Sequence, residues 1–128
     1  MELTLGEVRD WLKGLCEADR YYIGRLDGAR TRALGVYPRT RRGAAGEALG
    51  GAATYGMKPV TILLRWDENA AETEAAALGL WRAVLSHRGG AEDKILFARP
   101  AVSSPVSVGA DQGGVYEYVI DLDIYFRR

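Results

Sequence analysis

The sequence predicts an α+β fold, in which a mixed or antiparallel β-sheet carries two packed helices. Residues 115–127 alternate almost perfectly between the two faces of an extended strand. Residues 3–16, and again those after Asn69, instead repeat apolar side chains at three- and four-residue spacing, as amphipathic helices do. The predicted order is helix, two strands, central strand, helix and further strands, which indicates helices segregated on one sheet.

The first helix is predicted from a capping signal at residues 3–8. Thr4 is placed to cap the helix, Glu7 to bond back to it, and Leu3 to pack on Val8. The apolar stripe that follows is Val8, Trp11, Leu12, Leu15 and Cys16. The single cysteine cannot form an internal disulfide, and its place on this stripe predicts a buried thiol.

Two short strands at residues 21–26 and 31–37 surround Asp27-Gly28, a dipeptide typical of tight turns, and so predict a hairpin. Pro38 stops the second strand because it brings no amide hydrogen. Residues 39–57 differ in composition, with arginines that are followed by small residues and glycines. We expect a mobile loop there.

Alternation returns at Pro59 to Trp66 and predicts a central strand. Asn69 and Glu72 resemble a second capping box, and the helix that follows is expected to end before Gly89-Gly90, whose glycines accept a left-handed stop. Residues 95–98 and 102–108 predict strands that Pro100 and Pro105 limit to edge-like or bulged pairing. Residues 111–114 then turn the chain into the final strand, which carries Tyr116, Tyr118, Ile120, Leu122, Ile124 and Phe126 on one face.

Composition fits one domain spanning residues 1–128, with 48% hydrophobic and 27% charged residues. Seventeen basic residues balance seventeen acidic ones, so no overall field draws the chain to nucleic acid or to an anionic membrane. No apolar stretch approaches the roughly eighteen residues of a membrane span, and the first residues lack signal-peptide features. We expect a protein that is made in a cytosol and stays there, or in something assembled there.

Catalytic and metal motifs are weak. The glycines between Gly46 and Gly51 lack the Gly-Lys-Ser/Thr of a phosphate loop. His87 is the only histidine, and its place near a helix end favours a surface capping role. Asp121 and Asp123 are spaced to hold a cation or to act as an acid and base pair, but solvated or interfacial charge is the simpler interpretation. We therefore predict no catalytic residue, no cofactor and no metal, and not an enzyme.

The charges are unevenly placed, with arginines at 39–42 and acids on one face of the final strand. Opposite patches on one molecule permit head-to-tail contacts that close into rings. We expect the final strand and neighbouring sheet edges to build such a contact between copies. The predicted interface residues are Arg39, Arg41, Arg42, Glu117, Asp121 and Asp123. The open alternative is ordinary surface charge with partners in the same chain.

A second hypothesis is a small nucleic-acid-binding protein. The first third is locally basic and interleaves tyrosines, a pairing that stacks on and neutralises single-stranded nucleic acid. The residues are Arg25, Arg30, Arg32, Arg39, Arg41, Arg42, Tyr21, Tyr22 and Tyr37. Against it, alternating strand tyrosines are usually core residues, and the net charge is zero.

Five segments, spread in order over nearly the whole chain, resemble minor capsid proteins of phages and prophages of Gram-positive bacteria. They are LTLGEVRDWL (3–12), YYIGRLD (21–27), GVYP (35–38), KPVTILLRW (58–66) and GVYEYVIDLDIYF (114–126). Those proteins are similar in turn to the tail-terminator proteins of long-tailed phages. The segment 43–54 matches the family least well.

The resemblance implies a small tail-terminator-like α+β protein in the tail or neck of a virion, assembled in the host cytoplasm. It implies a ring, commonly a hexamer, that ends the tail tube and joins it to the head. The implied partners are further copies, the major tail tube protein and a head–tail connector protein. DNA would only pass through the ring channel, and no membrane is involved.

Overall fold

The computed structural model describes residues 2–24, 31–39 and 54–128. It confirms the α+β fold, with a mixed six-stranded sheet and two helices. The helices are α1 (Leu5–Lys13) and α2 (Ala70–Ser86). The strands are β1 (Arg20–Ile23), β2 (Ala33–Pro38), β3 (Tyr55–Arg65), β4 (Ile95–Pro100), β5 (Val106–Ala110) and β6 (Tyr116–Arg127).

The strand order is β1-β2-β3-β6-β4. β4 and β5 lie on the same side of β6, where β5 pairs with the first part of the strand and β4 with the last part. β6 therefore lies inside the sheet, with β3 along one side and β4 and β5 along the other. A subunit contact through the backbone of β6 is not available in this arrangement. Among the described residues, the sheet ends at β1 on one side and at β4 and β5 on the other.

The predicted hairpin of the first two strands is wrong, because β1 and β2 are parallel. Arg20 lies opposite Ala33, and Ile23 lies opposite Val36. Gly24 has a left-handed φ of 72° and turns the chain out of β1 ahead of the Asp27-Gly28 dipeptide, which lies outside the described residues. β2 in turn runs antiparallel to β3, and Pro38 ends it as predicted.

Helix α1 begins with the predicted capping box. Thr4 Oγ1 accepts a hydrogen bond from the Glu7 N–H at 3.1 Å, and Glu7 Oε1 accepts one from the Thr4 N–H at 2.9 Å. The helix ends at Lys13, so Leu15 and Cys16 follow it rather than extend its stripe. Val8 and Leu12 are fully buried against the sheet.

Strand β3 is longer than predicted and begins at Tyr55, so the last residues of the predicted 39–57 loop are sheet. Gly56 permits this start because a Cβ there would overlap the ring of Phe126. The predicted strand was too short because it was recognised from alternating large side chains, and Gly56 has none. Residues 40–53 of that loop, with Arg41 and Arg42, lie outside the described residues.

Helix α2 starts at the predicted cap and ends before Gly89-Gly90 as predicted, but not in the predicted conformation. Asn69 Oδ1 accepts the Glu72 N–H at 3.0 Å, while the Asn69 N–H donates to Asp67 Oδ1 at 2.9 Å, in place of the predicted return bond from Glu72. His87 closes the helix in extended conformation, and the left-handed stop at Gly89-Gly90 is wrong. Gly89 is small for another reason, since a Cβ would overlap the carbonyl of Ile95.

The two prolines act on β4 and β5 as predicted. β4 extends to Pro100, and β5 begins at Val106, directly after Pro105 and later than expected. Both strands pair with β6 through a register shift, and Gly109 has a φ of 81° at the β5 shift. Edge-like and bulged pairing is therefore confirmed.

The core lies between the helices and one face of the sheet. The predicted apolar side of the final strand faces it, and Ile120, Leu122 and Ile124 are fully buried. They pack with Leu80 and Val84 of α2 in one cluster that also holds the α1 residues. Within the described part of the chain, no helix is both long and apolar enough to span a bilayer.

Candidate interaction surface

The face of the sheet opposite the helices carries the described residues of the predicted interface. We call it the open face, because no described helix covers it. In register across β3 and β6, its facing pairs are Met57 with Tyr125, Pro59 with Asp123, Thr61 with Asp121, Leu63 with Val119, and Arg65 with Glu117. Most of these side chains are half-buried, and Arg65 and Asp123 are buried.

Arg39 and Asp123 form an ion pair within the chain. Arg39 Nη2 lies 2.5 Å from Asp123 Oδ1 and 2.9 Å from the Leu122 carbonyl oxygen. Only 7% of Asp123 is exposed. A carboxylate this buried needs a cation and hydrogen bonds close by, and Arg39 supplies both.

Arg65 joins two acids at the other end of the open face. Its Nη1 lies 2.5 Å from Asp111 Oδ2 and 3.3 Å from Glu117 Oε2. Burial lowers the pKa of Arg65, but the hydrogen bonds to Asp111 and Glu117 outweigh it and the pKa rises. The hydrogen bond from Arg65, followed by that from the Val115 N–H, lowers the pKa of Asp111. The loop before β6 is thereby fixed to β3.

Asp121 is held by Thr61, whose Oγ1 donates to Asp121 Oδ1 at 2.6 Å. Asp121 and Asp123 thus have different partners. Within residues 2–24, 31–39 and 54–128, no three His, Cys, Asp or Glu side chains are grouped to hold a metal ion. The three acids of the predicted interface, and Arg39, all have partners in their own chain, which is the alternative that the sequence left open.

The edges of the sheet were expected to take part in the contact, but the sequence named no residue on them. Ile23 on β1 is 45% exposed, and Val106 and Val108 on β5 are 48% and 52% exposed. The signal for β5 was present in the sequence, because residues 101–110 contain no charged side chain. Charge is the usual protection of a sheet edge against pairing with another chain.

An aromatic groove runs along the outer side of β4, beside the end of α2. One part, of about 520 Å³, is lined by Tyr55, Arg88, Gly89, Leu96, Phe97 and Tyr125. The rings of Phe97 and Tyr125 stack 4.8 Å apart, and the Arg99 guanidinium lies 5.7 Å from each ring. Tyr55 is 52% exposed at the rim.

A second cleft, of about 210 Å³, lies between α1 and the start of β4. His87 is half-buried here rather than at the surface, with its Nε2 3.2 Å from the Ile95 carbonyl oxygen and its ring edge-on to Trp11. Glu7 Oε1 lies 3.0 Å from Lys94 Nζ. Bonding from the Thr4 N–H, followed by that from Lys94, lowers the pKa of Glu7. These contacts tie α1 to β4.

The residues of the nucleic-acid hypothesis are partly engaged inside the chain. The Tyr21 hydroxyl donates to the Cys16 carbonyl and accepts the Ala18 N–H. Arg32 lies 3.4 Å from Asp67 and 3.7 Å from Glu72. Four of the predicted arginines lie outside the described residues: Arg25, Arg30, Arg41 and Arg42.

Comparison with known proteins assigns no family to this fold and these surfaces. No protein-family model matches the chain. No curated protein matches it.

Proposed function

We propose that this protein is a structural subunit of a phage virion, a tail terminator that forms a ring on the tail tube and joins it to the head. The resemblance of five segments, in order along nearly the whole chain, supports the proposal. The α+β fold that the resemblance implies agrees with the observed sheet and helices.

The observation that carries the proposal is that both edges of the sheet expose large apolar side chains. β1 exposes Ile23, and β5 exposes Val106 and Val108, at opposite sides of the same sheet. Two different surfaces on opposite sides of a subunit make head-to-tail contacts, which close into a ring when the rotation fits. β5 has no charged residue and is therefore suited to pair with another chain, whereas β1 begins with the exposed Arg20.

In this proposal the sheet edges make the ring contact and the open face supports them. The backbone of β6 is already paired on both sides, so only its side chains reach a neighbour. Ion pairs inside the subunit, such as Arg39 with Asp123, then set the shape of the surface rather than bridge copies. Arg41 and Arg42 remain predicted contacts to the tail tube or connector protein.

The test compares oligomer mass between edge variants. Light scattering after size exclusion and negative-stain microscopy would be applied to the wild type and to the Val106→Lys, Val108→Lys double variant at high concentration. The expected result is a ring for the wild type and a smaller species for the variant. Ala75→Lys, an exposed change on α2, is the matched control and should leave the ring intact.

Two results would contradict the proposal. One is a wild type that stays monomeric up to its solubility limit, also when mixed with isolated tail tubes. The other is tight, salt-sensitive binding of a labelled single-stranded oligonucleotide by the monomer, because phosphate contacts weaken as salt rises. That second result would favour the nucleic-acid hypothesis.

A further inference from the structure

The groove on β4 combines a free strand edge with an apolar wall. On the outer side of β4, the described residues make one backbone hydrogen bond, in which the Gly89 N–H donates to the Leu96 carbonyl oxygen at 2.7 Å. From Phe97 to Pro100 the outer edge has no described strand beside it. The groove continues along this stretch, where Leu85, Arg88, Phe97, Ala98, Arg99 and Pro100 line a further volume of about 410 Å³.

The groove also carries two arginines that form no ion pair with a described carboxylate. Asp123 lies opposite Arg99 in the sheet register, but its Oδ1 is bonded to Arg39. Arg99 is exposed, and its guanidinium lies over the rings of Phe97 and Tyr125. Arg88 Nη1 donates to the carbonyls of Leu85 and His87. No described carboxylate is paired with Arg88 or Arg99, so two guanidinium groups flank an aromatic wall and are available to a partner's carboxylates.

We propose that this groove binds an extended, acidic segment of a partner protein, which adds to the sheet beside β4. The partner's backbone would pair with β4 from Phe97 onward, as in strand addition to a sheet edge. An apolar side chain would lie against Tyr55, Phe97 and Tyr125, and carboxylates would meet Arg88 and Arg99. Aromatic residues and arginine are the side chains that most often dominate binding energy at interfaces.

A second copy of this chain does not fit the groove as well. Among the described strands, only β6 carries acidic residues, and it is paired along both sides. The exposed edge strand β5 has no carboxylate. A stacked nucleic acid base fits less well too, because Phe97 and Tyr125 stack on each other and Arg99 lies over both rings.

The groove and the proposed ring contact are separate surfaces. The ring contact is assigned to β1 and β5, whereas the groove is formed by β4, the end of α2, and the Tyr55 end of β3. Variants of one surface leave the other intact, so each proposal can fail alone.

The experiment is a titration of the full chain with a labelled, end-capped peptide in which glutamate alternates with phenylalanine. Fluorescence polarisation would compare the wild type with Arg99→Glu. Reversal of the groove charge should weaken binding about tenfold or more, which corresponds to roughly 1.4 kcal/mol. Arg82→Glu is the matched control, because Arg82 is exposed on α2 and does not line the groove. Its affinity should equal that of the wild type.

Two further measurements keep the proposal open to failure if Arg99→Glu folds poorly. Arg99→Gln removes the charge with a smaller change in shape and should weaken binding in the same direction. Hydrogen exchange of the wild type with bound peptide should slow at residues 97–99 and remain unchanged at 106–110, because only the β4 edge gains a partner.

Four outcomes would overturn the proposal. The first is no saturable binding of the acidic peptide, and the second is equal binding of a peptide with lysine in place of glutamate. The third is tighter binding of oligothymidine at the groove, lost in Arg99→Glu, which would assign the surface to nucleic acid. The fourth is self-association of the wild type that Arg99→Glu abolishes, which would assign the groove to a second copy.

Discussion

Arg39 Nη2 lies 2.5 Å from Oδ1 of Asp123, and this ion pair joins the end of β2 to the middle of the final strand. β3 lies between those two strands, so the Arg39 side chain reaches across it. The Arg39 N–H also donates to the Pro59 carbonyl on that central strand. The pair therefore fastens three strands across the open face.

Asp123→Ala should destabilise the fold, because it leaves the half-buried Arg39 guanidinium without its carboxylate. We expect a loss of roughly 1 to 3 kcal/mol, between the effects of breaking exposed and fully buried pairs. Urea unfolding of Asp123→Ala, Arg39→Ala and the double variant gives the coupling energy between the two side chains.

The control for this cycle is Asp10→Ala, because Asp10 contacts Arg9 and Lys13 at the surface of α1. Its unfolding free energy should remain within about 0.5 kcal/mol of the wild type. A coupling energy near zero between Arg39 and Asp123 would show that the pair does not stabilise the subunit. Charge reversal at Asp123 would then test contacts between copies without also changing the stability of the fold.

The sequence predicted the helices and the core strands because their periodicity and capping residues are local signals. Thr4, Glu7 and Asn69 cap as predicted, and Ile120 and Leu122 face the core. It failed on the direction of β1 relative to β2, because Asp27-Gly28 is only a local turn signal and does not specify which way the next strand pairs.

Acid should weaken the contact between Arg65 and Asp111. The pKa of Asp111 is lowered in the folded state, first by the hydrogen bond from Arg65. Its contribution to stability is therefore fully present above the ordinary aspartate pKa of about 3.9 and is lost as pH falls through the lowered folded value. The free energy of unfolding, measured by urea at a series of pH values below about 5, should decrease in the wild type more steeply than in Asp111→Asn.

Asp10→Asn provides the comparison for the acid series, since Asp10 is exposed on α1. In Asp10→Asn, the free energy of unfolding should decrease with falling pH as steeply as in the wild type. A slope in Asp111→Asn equal to that of the wild type would contradict the assignment of Asp111 as a residue that stabilises the fold through Arg65.

The charged candidates for the site could be read from the sequence, but their partners could not. Glu117, Asp121 and Asp123 share a face because of strand alternation alone. That Thr61 and Arg65 meet Asp121 and Glu117 depends on the register of β3 against β6, which sets residues 60 and 52 positions apart opposite one another. Arg39 reaches Asp123 from the end of β2, across β3. The groove along β4 was missed because it depends on where α2 ends, at His87.

Cys16 should react slowly with thiol reagents in the folded protein. Burial, followed by repulsion from Glu17, raises the pKa of its thiol, and the thiolate is the reactive form. The rate of reaction with a chromogenic disulfide at mildly alkaline pH should be well below that of the urea-unfolded chain. Equal rates in the two states would mean that the thiol is open to solvent.

Two glycine-to-alanine changes should act in opposite directions. In Gly56→Ala, the new methyl group would overlap the Phe126 ring, so we expect a loss of roughly 1 to 3 kcal/mol, as in other overpacked sites. In Gly79→Ala, on the exposed side of α2, the methyl group meets nothing within 4 Å and removes the entropic cost of a helical glycine. Urea unfolding should then show a gain of about 0.5 to 1 kcal/mol. A stable Gly56→Ala would mean that Phe126 moves away easily, and the start of β3 would not require a glycine.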